Sequence, residues 1–430
     1  MARTIHAALL GAGTVGGGVY RLLERREGEM VNKLGAALEI KTILVRDAKK
    51  PRAGIPPEKL TERFEDILSD PEIDIVIELM GGIDPAKRYV EEALAAGKHV
   101  VTANKDLLAE HGFALAETAA ARGLDLRFEA SVAGGIPILT PLMTCLEGND
   151  ITEVMGIVNG TTNFILTRMT NEGTDFADAL REAQALGFAE ADPTADVEGL
   201  DAARKVAILA SLAFHSHVTF SDVPTVGITK ITAKDIGYAR EMGYVIKLIG
   251  IARSTNGEIE VGVSPMMIPK RHPLASVNDS FNAVFVHGDA LDDAMFQGRG
   301  AGAFPTASAV VGDLIAVSRD ILAGCNGRVR LNPYRGLPLQ SRGNAAHRFY
   351  LRLRVEDRPG ILAGVAGVLG NNDVGISQVI QKQRTEDDAE IVVITDRVQT
   401  RHMEDALTIF GSMSVIRDVS SVIRVYSEKP

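Results

Sequence analysis

Five acidic residues and a lysine crowd one stretch of this sequence: Glu190, Asp192, Asp196, Glu198 and Asp201, then Lys205. Asp201 and Lys205 are four apart, so on a helix they share a face. At its plainest this is an exposed ion pair worth about 0.3–0.5 kcal/mol. The residues that follow, Val206-Ala207-Ile208-Leu209-Ala210, argue for more, because a helix apolar nearly all round is buried. A lysine in its first turns then lies at a pocket edge, where burial lowers its pKa towards that of a usable general acid or base. A second lysine, Lys105, follows Thr102-Ala103-Asn104 just past an expected strand end. Open α/β sheets bind ligands in that crevice. Position alone fits an ordinary surface lysine equally well.

Gly11-Ala12-Gly13-Thr14-Val15-Gly16 follows an expected strand and opens an expected helix, as a dinucleotide-binding turn requires. Gly11 permits the tight turn, Gly13 lets the backbone approach a pyrophosphate, and Gly16 lets helix and sheet pack. The helix start adds unpaired N–H groups for phosphates; a glycine turn without ligand is the alternative. The second strand ends Leu44-Val45-Arg46-Asp47, with Lys49 and Lys50 behind. Arg46 suits a ribose 2′-phosphate and hence NADP, while Asp47 leaves NAD open. The stretch from Phe128 to Pro137 runs from a strand into a turn of small residues. Its carbonyls are hard ligands of the kind cations take, and a plain turn is the simpler reading.

Metal and thiol chemistry fare worse. His215 and His217 are two apart, off any shared helix face, and no cysteine cluster supports zinc. Cys145 reads as a packed helix position. Without a thiolate the chain does not suit acyl-transferring aldehyde oxidation, whereas alcohol-to-aldehyde hydride chemistry needs only a cofactor and a proton donor.

These groups need elements to position them. Strands are expected over 5–10, 40–45, 73–79, 99–102 and 124–130, alternating with helices over 14–29, 86–96 and 107–122. That alternation means βαβ units and a parallel sheet covered on both faces. After about residue 150 the pattern turns α+β, with strands over 152–158, 244–251, 259–267 and 283–287 and helices over 163–171, 176–186 and 201–214. A helix over 305–322 follows the glycine-rich run 298–303. Residues 324–347, rich in Gly, Arg, Asn and Pro, mark a linker. From Phe349 the order is β-α-β-β-α-β, the ferredoxin-like arrangement. No internal repeat is evident.

Composition narrows the class. The 430 residues allow two to four domains. A net charge of −10 without a basic run disfavours nucleic acid. The longest apolar run, near Val206–Phe214, is far short of the ~20 residues that span a bilayer. The N-terminal residues enter a strand directly, leaving no room for a signal peptide. Two cysteines make no disulfide framework, so a cytoplasmic protein is expected.

Together these motifs resemble homoserine dehydrogenase over essentially the whole chain. The resemblance rests on 11–16, on Gly97 to Lys105, on Phe128 to Pro137, on Gly156 to Asn163, on Leu186 to Gly199, on Asp201 to Lys205 and on Gly300 to Thr306. It implies NAD(P)-dependent interconversion of L-homoserine and L-aspartate 4-semialdehyde in threonine, methionine and isoleucine biosynthesis. It implies catalytic roles for Lys205, the proton donor or acceptor, and Lys105, which aligns substrate at the nicotinamide end. Glu190 and Asp201 would hold homoserine. Gly11, Gly13, Thr14, Val15, Gly16, Arg46, Lys105 and Gly302 would bind cofactor. The main-chain carbonyls of Glu129, Val132, Gly134 and Ile136 would hold a monovalent cation, sodium by resemblance.

The tail resembles an ACT domain through Asp357-Arg358-Pro359-Gly360-Ile361-Leu362-Ala363. Such domains bind small amino acids, so Asp357, Asn371, Asn372 and Asp373 are effector contacts by resemblance, with L-threonine the expected effector. A purely oligomerising tail is the alternative. The expected class is therefore α/β: a Rossmann-like domain over 1–150 completed by a helix over 303–323, and an α+β substrate and dimerisation domain over 151–302. The linker 324–347 and a ferredoxin-like ACT domain over 348–430 follow. No length remains for a kinase domain, and a homodimer or homotetramer is expected. A different class of function, a nucleotide- and amino-acid-sensing protein without turnover, would share these modules; the set of Lys105, Glu190, Asp201 and Lys205 argues against it.

Overall fold

The computed structural model describes residues 3–328, 331–383 and 388–427. Met1 and Ala2, residues 329 and 330 of the expected linker, and 384–387 and 428–430 of the expected tail lie outside the described residues. The chain divides into two compact units. Met1–Val158, Ala202–Val223 and Phe281–Leu337 form the first; Asn159–Asp201, Pro224–Ser280 and Pro338–Pro430 form the second.

In the first unit a parallel sheet runs in the order Leu60–Thr61, Ala37–Leu44, Thr4–Leu10, Ile73–Glu78, His99–Thr102, Leu126–Arg127. The chain winds outwards both ways from Thr4–Leu10. The carboxyl ends of Thr4–Leu10 and Ile73–Glu78 therefore flank the reversal of strand order, where such sheets bind ligands. Its central strands are continuous apolar runs because helices cover both faces. Leu9, Ile43, Ile75 and Val101 share one core with Val19 of the helix Thr14–Arg25 and Leu314 of the helix Ala303–Ala323. Leu10, Val76 and Val100 share the other with Leu94 and Leu115. An antiparallel strip of Asp292–Arg299, Phe281–Gly288 and Ile151–Ile157 completes the unit.

Three local expectations need correction. The helix expected over 14–29 is two, Thr14–Arg25 and Glu27–Leu34, because the backbone turns at Arg26 and so brings Met30 into the core. The strand expected over 124–130 keeps only Leu126–Arg127, since Glu129 swings into a 3₁₀ turn to engage backbone N–H groups described below. Cys145 is not a packed helix residue. That helix is Leu139–Met143, and Cys145 lies exposed beyond it while Leu142 and Leu146 take the buried places.

In the second unit the sheet order is Tyr244–Thr255, Glu258–Pro269, Ile416–Val425, Ala346–Glu356, Asp388–Thr395, Ile376–Gln383. The last four are the tail strands, packed over Leu353, Val365, Ile391 and Phe410. The chain's final strand lies parallel to Glu258–Pro269, pairing Arg424 with Met266 and Val425 with Met267. The helix Ala233–Glu241 escaped the sequence reading. Its signal was Thr232 followed three residues on by Asp235, which form a capping box.

Asp235 does more than cap. It is wholly buried and accepts hydrogen bonds from Arg352 Nε at 2.8 Å and the Tyr350 hydroxyl at 3.1 Å. Arg352 Nη1 also donates to Glu390 at 3.2 Å, and the Tyr238 hydroxyl donates to Glu390 at 2.8 Å. Burial and the Glu390 carboxylate push Tyr238 up to about 12, so it stays a donor. Removing one partner of a buried ionic network strands the others without compensation. Arg352→Met should therefore lower stability by about 3–5 kcal/mol, seen as an earlier urea midpoint; an unmoved midpoint would refute the network's role.

Candidate active site

The turn after Thr4–Leu10 is shaped by glycine. Gly11 sits at φ 99°, and a Cβ on Gly16 would stand 2.1 Å from the Gly11 carbonyl oxygen. Gly13 begins the helix with no side-chain cap on its first N–H groups, and a Cβ there would meet no protein atom within 4 Å. Gly13 and Thr14 are exposed, with Ala12 and Val15 half-buried. An uncapped, accessible helix start fits a pyrophosphate. Beyond Ala37–Leu44, Arg46 is exposed and has no ion-pair partner among the described residues. Asp47, also exposed, accepts the Lys49 N–H at 2.9 Å through Oδ1.

Two polar residues that sequence reasoning missed set the next strand ends. Glu78 is wholly buried, and its carboxylate accepts from Thr102 Oγ1 at 2.6 Å and the Met80 N–H at 2.7 Å. Asn104 caps the helix Lys105–Ala121 through the Leu107 N–H at 3.1 Å and donates to the Gly82 carbonyl at 2.6 Å. Both were visible only as an acid closing an apolar strand and an Asn before a helix. Lys105 opens that helix, half-buried. Lys205 is half-buried on the helix Leu200–Ala213, whose Ala202, Ala203 and Val206 to Ala210 are buried, and its Nζ donates to the Val158 carbonyl at 2.7 Å. The neighbours of the two lysines meet: Arg204 Nε lies 2.7 Å from Asp106. That ion pair joins the first turns of the two lysine-bearing helices.

The acidic cluster does not act as one. In the second unit Asn159 Nδ2 donates to Asp196 at 2.7 Å and to Asp201 at 2.9 Å, while its Oδ1 caps the helix Gly160–Glu172 through the Thr162 N–H at 2.9 Å. Asp201 is buried at 8% exposure. Asp192 bonds the Thr194 hydroxyl and N–H instead, which hold its carboxyl below the usual range. Glu198 accepts from Thr229, and Glu190 is exposed. Asn159 lies in a quoted motif but carried no role in the sequence reading, because nothing in composition shows which carboxylates share an amide.

Glu129 organises the small-residue turn. Its carboxylate accepts from the N–H groups of Ile138 at 2.6 Å, Leu139 at 2.8 Å and Thr140 at 2.7 Å. Among the described residues no hydrogen bond ends on the carbonyls of Val132, Gly134 or Ile136. Val132, Gly134 and Ile136 are buried, so these oxygens fit a cation ligand set. Gly134 has φ 55°, and a Cβ there would lie 2.2 Å from the Gly300 carbonyl oxygen. The turn thus packs against the loop that leads to Gly302, the N-cap of Ala303–Ala323.

Asp313 on that helix accepts the Glu129 N–H at 2.8 Å, and burial pushes its carboxyl up to about 7. The folded chain thus holds this proton more tightly than the unfolded one, whose carboxyl titrates near pH 4. Stability falls as pH rises between those values, by up to roughly 1.4 kcal/mol per unit, and the loss is complete above the folded value. Asp313→Asn keeps the acceptor and removes the titration. Its urea midpoint should fall less than that of the unsubstituted chain between pH 5 and pH 8; equal falls would refute the assignment.

Comparison with known proteins agrees with this geometry. Residues 11–129 match the family model of the homoserine dehydrogenase NAD binding domain, residues 137–315 that of homoserine dehydrogenase, and residues 349–411 that of the ACT domain. The chain is 43% identical to homoserine dehydrogenase of Bacillus subtilis (strain 168) over 98% of each chain. It is 46% identical to that of Corynebacterium glutamicum, covering 97% of this chain and 95% of the relative. A homoserine dehydrogenase crystal structure from Thiobacillus denitrificans, 41% identical, matches with a TM-score of 0.93 over 99% of each chain. Likeness running from the dinucleotide turn to the tail leaves one conclusion: the chain belongs to the homoserine dehydrogenase family of NAD(P)-dependent oxidoreductases.

Proposed function

We propose that the chain interconverts L-homoserine and L-aspartate 4-semialdehyde with Lys205 as proton donor and acceptor at the substrate oxygen. The observation that carries this is the Lys205 ammonium, half-buried on a buried helix, aimed by the Val158 carbonyl and one turn beyond Asp201. The bound nicotinamide supplies hydride in one direction and accepts it in the other. Lys205 protonates the alkoxide oxygen as it forms and stabilises its charge; in reverse it takes up the hydroxyl proton. Glu190 and Asp201 hold homoserine's polar groups, and Lys105 aligns the substrate. Lys205→Ala should lower kcat by about 10³-fold or more, while Asp201→Ala and Glu190→Ala mainly raise the homoserine KM. Homoserine-dependent NADP reduction at alkaline pH measures all three. A Lys205→Ala enzyme within tenfold of the original would refute the Lys205 role, and an unmoved KM in both carboxylate variants would refute theirs.

The cofactor reading favours NADP, held at Gly11, Gly13, Thr14, Val15, Gly16 and Gly302, with Arg46 on the 2′-phosphate. Arg46→Glu should shift the ratio of kcat/KM for NADP over NAD by about tenfold or more towards NAD; an unchanged ratio would place discrimination elsewhere. The main-chain carbonyls of Glu129, Val132, Gly134 and Ile136 would hold sodium, beside the glycine loop 298–303 that Gly134 meets at Gly300. By this reading residues 1–150 with 303–323 serve the cofactor, 151–302 serve substrate and dimerisation, and 324–347 connect them to the ACT domain over 348–430. The enzyme works in the cytoplasm as a homodimer or homotetramer in threonine, methionine and isoleucine biosynthesis. L-Threonine restrains it through Asp357, Asn371, Asn372 and Asp373. A sensor without turnover is not favoured.

A further inference from the structure

A cavity of about 880 Å³ in the second unit is lined by none of the residues assigned above. It lies between the hairpin of Tyr244–Thr255 and Glu258–Pro269 and the tail segment from Arg397 to Arg401. Gln340 and Asn344 close its side. The backbone holds that side in place, because the Gln340 N–H donates to the Ile259 carbonyl at 2.8 Å and the Ile259 N–H to the Pro338 carbonyl at 2.9 Å. The volume lies within the range of small-molecule sites.

Its charge is one-sided. Arg253, Arg397 and Arg401 line it, and among the described residues Glu260 is its one carboxylate. Glu260 stands opposite Arg253 in the hairpin register and also faces Arg424 at 3.8 Å. A carboxylate so placed leaves the two tail arginines unneutralised. Arg397 Nε donates to the Ala346 carbonyl at 3.2 Å, and Arg397 and Arg401 are both exposed, with no ion-pair partner among the described residues. Arg401 also stands in the first turn of the helix Thr400–Ser412, which has no acidic residue there, although a helix start disfavours cations. Arg253 is 9% exposed, its guanidinium 5.3 Å over the Tyr426 ring.

A chain of net charge −10 thus gathers three guanidiniums around one space. Like charges held together repel, and a multivalent anion between them relieves the repulsion. The guanidinium fork matches phosphate oxygens two at a time. The rest of the lining is polar, with the amides of Gln340, Asn344 and Gln399 and the hydroxyl of Thr255, and Ala346 is its one apolar residue. Such walls suit hydroxyl and carbonyl groups and offer nothing to a hydrocarbon side chain.

We propose that this cavity binds a diphosphate group, free or carried by a small metabolite, which joins Arg397 and Arg401 of the tail to Arg253 of the hairpin. Calorimetric titration of the full chain with inorganic pyrophosphate at low ionic strength tests it, repeated with NAD in excess to fill the dinucleotide turn of the first unit. Pyrophosphate binds one to a chain, about tenfold or more tightly than orthophosphate, and excess NAD leaves that binding in place. Arg397→Ala and Arg401→Gln each weaken it by about tenfold or more and leave the KM for homoserine and for NADP unchanged. An unmoved urea midpoint in Arg401→Gln shows that its loss is not unfolding. In the presence of excess NAD, ADP tighter than pyrophosphate assigns the site to a diphosphate-bearing metabolite, and ADP weaker than pyrophosphate to the free ion. No binding, loss of binding once NAD is added, orthophosphate as tight as pyrophosphate, or full affinity in both variants would overturn the site.

Discussion

One side-chain amide holds the carboxylate segment in place. Asn159 offers both hydrogens of its Nδ2 to Asp196 and Asp201 and its oxygen to the start of the helix Gly160–Glu172. Two carboxylates drawn together out of water repel, and neither is tolerated there without a donor. One amide donates to both and ties the turn between them. Val158, the residue before it, accepts the Lys205 ammonium. The end of one strand thus sets the direction of a lysine and of two acids through consecutive residues. Aspartate at 159 would have the same shape and the wrong charge, and leucine the right volume and no donor.

The same logic recurs at the glycine-rich turn. Glu129 is buried, yet three backbone N–H groups converge on it, and its own N–H goes to Asp313. These bonds let the chain leave the sheet after Leu126–Arg127 and fold back as a tight turn of small residues. Gly134 then permits contact with Gly300 that any side chain would block. Order in this turn comes from polar burial rather than apolar packing, since the segment is too rich in small residues to anchor itself.

The parallel sheet and the tail were legible because their signals are local. Short apolar runs place the strands at 5–10, 73–79 and 99–102 within a residue or so of the observed Thr4–Leu10, Ile73–Glu78 and His99–Thr102. Lys205 and Asp201 were legible too, because an i,i+4 pair at the head of an apolar helix is a one-dimensional pattern. Glu78, Asn159 and the Asp106–Arg204 pair were not. Each acts through a partner distant in the chain, and a lone polar residue in sequence does not reveal which orphaned group it serves. The strand Asp292–Arg299 was hidden for a different reason: its Asp-Asp start and nearly uniform exposure carry no apolar alternation of the usual strength. The helix Ala233–Glu241 was readable from its capping box alone, and its importance was not, since Asp235 finds Arg352 more than a hundred residues later.

The parallel pairing of the last strand with Glu258–Pro269 has a further consequence for how such an enzyme can change over generations. The tail is not hung from the catalytic chain by a tether. At Met266 and Met267 it fills a stretch of edge that would otherwise present unpaired N–H and C=O groups, a template for self-association. A lineage can alter the tail one residue at a time, but discarding it would bare the Met266–Met267 stretch of that edge in the same step. Protection of that edge therefore guards the tail against loss, and retention of the tail in a descendant says little about what else it does.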